Sequence, residues 1–262
     1  MSFATWPLWL SVLVVGSFTA ASMVSSHFVR RRITLERLMS NNEVAGFKFA
    51  TMGVIYAVLL GFAVIVVWEK YHDAEVAVAQ EAGALVALYR LSNGLGTEGR
   101  AAAHAGIDAY VRDVVNGDWP AMAHGGLSER ATQSLNNLYS AVLHDAPNRE
   151  TAVLSEIFYQ LDQVTASRRQ RAVLCGGIVP GVIWVALFTG ACITIGFTMF
   201  FGTRNPRAQM LMTGLLALMI FTVLMVIAAI DFPFTGEVSI KPEPFINALR
   251  EFSGPAGMLP KG

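Results

Sequence analysis

Charged residues are missing from four long stretches of this chain, and that constrains the fold more than any motif. No Lys, Arg, Asp or Glu precedes Arg30. Then 20 uncharged residues separate Lys48 from Glu69, 32 separate Arg171 from Arg204, and 23 separate Arg207 from Asp231. A helix of about 20 apolar residues crosses a hydrocarbon core roughly 30 Å thick, so each stretch can span a bilayer. The chain is 54% hydrophobic and only 15% charged, too apolar for an ordinary soluble domain. The spacing predicts transmembrane helices near 8–29, 48–68, 173–201 and 208–230 in a multi-pass protein of the cell membrane.

The first span reads as a retained helix. A cleaved signal peptide carries a basic flank ahead of its apolar region, whereas Arg30, Arg31 and Arg32 follow it here. By the positive-inside rule that cluster faces the cytoplasm, as do Arg204 and Arg207 in the short loop between spans three and four. The central insertion and the C-terminal tail then face away from the cytoplasm. Lys70, Arg168, Arg169 and Arg171, close to the other membrane face, weaken that asymmetry. Cys175 and Cys192 fall within one predicted span, about 25 Å apart along a helix and beyond disulfide reach. A formal net charge of zero implies no attraction to nucleic acid.

Domain limits follow. Residues 1–68 hold spans one and two with their basic loop, 69–171 an extramembrane helical domain, 172–230 spans three and four, and 231–262 a tail expected to pack on the helical domain. The insertion lacks the alternating β-branched runs of strands. Its first helix continues span two without a break to about Leu91, since no glycine, proline or turn residue interrupts "VWEKYHDAE". "SNGLGTEG" ends that helix. A second is predicted from Glu98 to Val115, a loop over "NGDWPAMAHGG", and a third starting near the N-cap Ser128 and ended by "DAPN". A fourth runs from about Arg149 directly into span three. The fold class is an all-α membrane protein: four transmembrane helices with a helical insertion between spans two and three.

Motifs of chemistry are sparse. His27, His72, His104, His124 and His144 are scattered, and none forms H-E-x-x-H or joins a cysteine pair at metal-ligand spacing. "GLGTEG" has G-x-G-x-x-G spacing, but a helix precedes it where a dinucleotide site needs a strand. No catalytic motif occurs, and no Asp or Glu lies inside a span. The expectation is no enzyme, no cofactor and no metal.

Span two carries the sharper pattern. Gly53, Ala57 and Gly61 form a small-residue ridge along which another helix can pack closely. Val54, Val58 and Phe62 form a hydrophobic stripe about 100° round the helix. A ring of such helices would place the stripe on a central axis, as a constriction that closes by dewetting. Lipid contact or packing within the chain is the plainer reading of both features. In span three, Pro180 between Gly177 and Gly181 predicts a kink.

"LLGFAVIVVWEKYHDAE" resembles the second transmembrane helix of bestrophins, where a Leu-Gly-Phe triplet precedes an aromatic–acid–base–aromatic run. The counterparts here are Gly61-Phe62 and Trp68-Glu69-Lys70-Tyr71-His72-Asp73-Ala74. "IDFPFTGEVSIKPEPFINAL" is similar to the tail after their fourth span, and the order of elements agrees. "AGFKFATMGVIYAVLLGF" with "DFPFTGE" resembles most closely the bacterial bestrophin-like domain family, which implies a bacterial inner membrane.

The resemblance implies a homopentameric ion channel in the lipid bilayer whose neck is Val54, Val58 and Phe62, with inorganic ions as its cargo. Glu69, Lys70 and Asp73 would form charged rings where the helix leaves the membrane, and Glu75 and Glu81 would line a vestibule. Insertion acids outnumber bases 13 to 9, which favours cations slightly. Three departures stand out. The acidic run that binds calcium in regulated bestrophins is reduced to Asp231, Glu237 and Glu243. Ala63-Val64-Ile65 replaces the polar residues found past the neck in many bacterial members. Bestrophins keep the insertion in the cytoplasm, against the arginine count. The alternative reading is a non-conducting membrane sensor or scaffold whose helical domain binds a ligand or partner.

Overall fold

The structure is a computed structural model that describes residues 7–40, 42–145 and 152–254, without the side chains of Leu8, Arg37 and Asp145. The expected helix start at Arg149, the "APN" stop and the end of the tail lie outside those residues. All secondary structure among the described residues is helical. Four helices among the described residues are long and apolar enough to cross a membrane: α1 (Leu8–Arg32), α3 (Asn42–Leu91), α8 (Gly181–Thr198) and α9 (Pro206–Ile230). A short α2 (Leu35–Met39) follows α1.

The chain divides into two compact units, the first comprising residues 1–70, 178–232 and 236–238. There α1 and α8 both pack on α9. Gly214 lets Met23 approach α9 closely. Tyr56 of α3 is buried, and its hydroxyl donates to the Leu187 carbonyl of α8 at 3.0 Å. Gly190 makes that contact possible, because a Cβ there would run into the Tyr56 ring. Asn205 caps α9, accepting from the backbone N–H groups of Arg207 and Ala208 at 3.0 and 3.3 Å. Buried Gln209 donates to the carbonyls of Thr198 and Phe201, at and just past the end of α8. The Arg30 guanidinium donates to the Thr203 carbonyl, and Asn42 exchanges hydrogen bonds of 2.8 and 3.0 Å with Gly202. The two arginine-bearing loops therefore share one end of this unit.

Span three differs from expectation. The preceding helix, α7 (Ala152–Leu174), does not run into it; the chain breaks over 175–180 and restarts at Gly181. Pro180 has no backbone N–H and sits as the N-cap in an extended conformation, so the expected kink is a full interruption. The buried Asp231 carboxylate closes the break. It accepts from the backbone N–H groups of Ile178 and Val179 at 2.9 and 2.7 Å and from Trp184 Nε1 at 3.3 Å. Cys175 is thus the first residue of the break and Cys192 lies beyond it in α8, and both are free.

The second unit comprises residues 71–177, 233–235 and 239–262. It holds the end of α3, α4 (Thr97–Asp113), α5 (Trp119–Met122), α6 (Glu129–Asp145), α7 and α10 (Glu243–Ser253). Its core draws Leu85 and Leu88 from α3, Ile107 and Tyr110 from α4, Leu138 from α6 and Leu161 from α7, all fully buried. Ser128 is the cap of α6, its hydroxyl accepting from Arg130 N at 3.2 Å. "SNGLGTEG" is a 3-10 turn over Ser92–Gly94 leading into α4. The expected loop over "NGDWPAMAHGG" is instead a single π-helical turn, Val114–Asp118, continued by α5. The turn delivers Asp118, and α5 delivers Met122, to the core. From the tail, Phe245 is fully buried, and Trp119 Nε1 donates to the Ile240 carbonyl at 3.1 Å.

Candidate functional site

The helix that carries every candidate residue is α3, 50 residues long and unbroken. Within the first unit its buried residues are Tyr56, Ala63 and Val67, which share one face at seven- and four-residue spacing. Val54, Val58 and Phe62 lie about 160–240° around the helix from Tyr56. All three are exposed on the single chain, at 65, 52 and 65%. The ridge occupies the face between. Among the described residues, no heavy atom lies within 4 Å of where a Cβ would stand on Gly53 or Gly61, and Ala57 is exposed. Neither feature is consumed by packing among the described residues. Glu69 and Lys70 are exposed and Asp73 is half-buried on the same helix.

Glu81 is a correction. It does not line a vestibule on the chain but is fully buried, held by Arg171 of α7. Arg171 Nε donates to Glu81 Oε2 at 2.6 Å and Nη2 to Oε1 at 2.8 Å, while the Tyr110 hydroxyl donates to Oε1 at 2.7 Å. Asp118 extends the cluster. It accepts from Arg168 Nε at 3.1 Å, from Arg171 Nη2 at 3.3 Å and from Ser128 N at 2.9 Å. The Arg171 guanidinium also lies over the rings of Trp119 and Phe245, 5.2 and 5.6 Å from their centroids. Two carboxylates and two guanidiniums balance, so no net charge is buried.

This environment shifts the titrations. Burial, then the Glu81 charge, pushes the Tyr110 hydroxyl well above its ordinary value. Burial works against the Arg171 cation, but the charge and hydrogen bonds of Glu81 outweigh it and raise its pKa. Arg168 and Arg171 are therefore core residues, not flanks of a membrane face. Their place was legible: they fall in register with Ile157, Leu161, Val164 and Leu174, as Glu81 does with Val78, Leu85 and Leu88. Among the described residues, no group of three or more His, Cys, Asp and Glu could hold a metal ion.

The profile of the bestrophin-like domain family matches residues 16–245, nearly the whole chain. This protein belongs to the bestrophin-like domain family. The fold agrees with solved structures of a bacterial bestrophin homologue from Klebsiella pneumoniae, determined as several single-substitution variants. One superposes with a TM-score of 0.70 at 10% identity, covering 94% of this chain and 97% of that one. A second gives 0.69 at 11% identity over 94 and 98% of the two chains, and a third 0.66 at 13% over 93 and 96%. At such identities the likeness carries the fold alone. No curated protein matches the chain. As a bestrophin-like protein it is a multi-pass membrane protein, and α3 corresponds in order to the helix on which the sequence resemblance rests.

Proposed function

We propose that the chain is one subunit of a homopentameric ion channel whose neck is formed by Val54, Val58 and Phe62 of each copy. One observation carries the reading: α3 turns its buried face to its own chain and leaves the stripe uncovered on the opposite face and the glycine ridge uncovered between the two. Family membership supports it, because bestrophins are ion channels. Neighbouring copies would meet along Gly53, Ala57 and Gly61, where small residues allow close helix approach. Phe62 would then be the narrowest apolar ring, able to exclude water when closed. Glu69, Lys70 and Asp73 would encircle the path beyond it, and inorganic ions would pass without any covalent step.

The orientation proposed is the one that the arginines favour. The loops at Arg30–Arg32 and Arg204–Arg207 share one end, and Arg168 and Arg171 no longer count against them because their charges are neutralised in a core. The helical domain then lies outside the cytoplasm. A reporter that is active only in the cytoplasm, fused after Ser253, is expected to be silent; an active fusion reverses the orientation without touching the neck.

The deciding experiment is reconstitution in planar bilayers. Wild type is expected to give a small or gated current, and Phe62→Ala a larger, leakier one. Silence from both, with a particle that has no axial hole, would replace the channel with a non-conducting scaffold.

A further inference from the structure

We propose that His72 makes the charge selectivity of the pore depend on pH, through a ring of imidazoles, one from each copy, beyond the neck. This rests on the pore reading above and deepens it.

Helical register places the residue. α3 is unbroken, and 18 residues, five whole turns, separate Val54 from His72 and Phe62 from Gln80. Within the second unit, the buried α3 residues Ala74, Val78, Glu81 and Leu85 lie about 180–240° around the helix from His72. His72 and Gln80 are exposed. The uncovered face of α3 thus runs on past the neck stripe, and the helix holds no other histidine.

Its surroundings suit a titrating ring. The His72 Nδ1 stands 3.7 Å from the Glu75 carboxylate, with the two side chains 67 and 52% exposed. A pair so open, one turn apart on a helix, contributes little to stability, so folding gives no account of it. Among the described residues, no charged group of another element pairs with the imidazole.

Histidine is the side chain whose charge ordinarily changes between about pH 5 and 8, while carboxylates stay ionised and lysine protonated. Along this part of α3, Glu69, Asp73 and Glu75 outnumber Lys70. A protonated His72 is a second base there, and it halves the segment's net negative charge. Rings of one sign bias which ion enters a narrow path. Above the titration range the acids therefore favour cations; below it the imidazolium ring opposes them.

The test measures reversal potentials of the full chain in planar bilayers under a salt gradient, at pH 5.5 and 8, with Phe62→Ala as the conducting background. The cation-to-anion permeability ratio should fall about threefold on acidification, the scale of one exposed charge. His72→Asn should hold the pH 8 ratio at both values, and His72→Lys the pH 5.5 ratio. Glu75→Gln leaves the imidazole in place, so it should lower the ratio at both values and keep the fall. A ratio that ignores pH, a fall that survives in His72→Asn, or a Glu75→Gln ratio equal to that of the background overturns the proposal and leaves the pore standing. Silence from wild type and Phe62→Ala alike removes the pore, and this proposal with it.

Discussion

The Arg171 guanidinium grips the Glu81 carboxylate through two parallel hydrogen bonds, of 2.6 and 2.8 Å, with both side chains wholly buried. The residues are 90 positions apart, so this fork joins α3 to α7 within the helical domain. Bidentate geometry of this kind fixes orientation as well as distance.

Breaking the pair from one side should therefore be costly. Arg171→Met leaves Glu81 buried without its main cation and is expected to lower stability by about 3–5 kcal/mol, as is Glu81→Leu through the orphaned guanidinium. The double variant Glu81→Leu with Arg171→Met should recover most of that, because Asp118 keeps Arg168. Urea unfolding of the three proteins in detergent checks this; additive losses would show that the pair is not a unit.

Alkaline pH should act through Tyr110. Its folded-state pKa lies well above the ordinary value near 10, so the folded chain holds a proton that the unfolded chain releases. The contribution to stability is full below about pH 10 and is lost as pH rises toward the folded-state value. Stability measured from pH 8 to 11.5 should fall at the alkaline end, and Tyr110→Phe should flatten that fall while costing about 1–2 kcal/mol at neutral pH for the lost hydrogen bond to Glu81.

Gly190 and Tyr56 make a paired prediction. A methyl group at Gly190 meets a buried ring that cannot swing aside, because its hydroxyl is tied to Leu187. Gly190→Ala should destabilise the protein by about 1–3 kcal/mol. Adding Tyr56→Leu should cancel part of the loss. A thermal melt in which Gly190→Ala is neutral would mean that α3 and α8 are less tightly engaged.

The exposed glycines should behave in the opposite way. Gly53→Leu and Gly61→Leu meet nothing among the described residues of their own chain, so the subunit should fold and insert normally. If the ridge is where copies meet, both variants should elute as smaller assemblies, with the native mass shifted from oligomer toward monomer. Unchanged assembly in both would place the ridge against lipid.

The helical domain shows where sequence reading stopped. Ser128 and the turn at "SNGLGTEG" were legible because a cap and a glycine pair act on their immediate neighbours. Trp119 and Asp118 were read as loop because "NGDWP" has the composition of one; packing against Phe245, Phe234 and Arg168 draws that segment into a π-turn and a short helix. Glu81 was placed toward a vestibule because charge suggests solvent, although its register with Val78, Leu85 and Leu88 pointed inward. The break before α8 was hinted at by Gly177, Pro180 and Gly181, but only Asp231, more than 50 residues away, supplies the partners that let the backbone leave the helix there.

Membrane insertion, the four spans and the unbroken α3 were settled by the sequence alone, because excluding charge from hydrocarbon and propagating a helix depend on each segment by itself. Which charges are buried and which face of α3 stays uncovered were decided by tertiary structure. Those depend on pairs of residues far apart in the chain, and burying a charge is tolerable only once its partner has arrived.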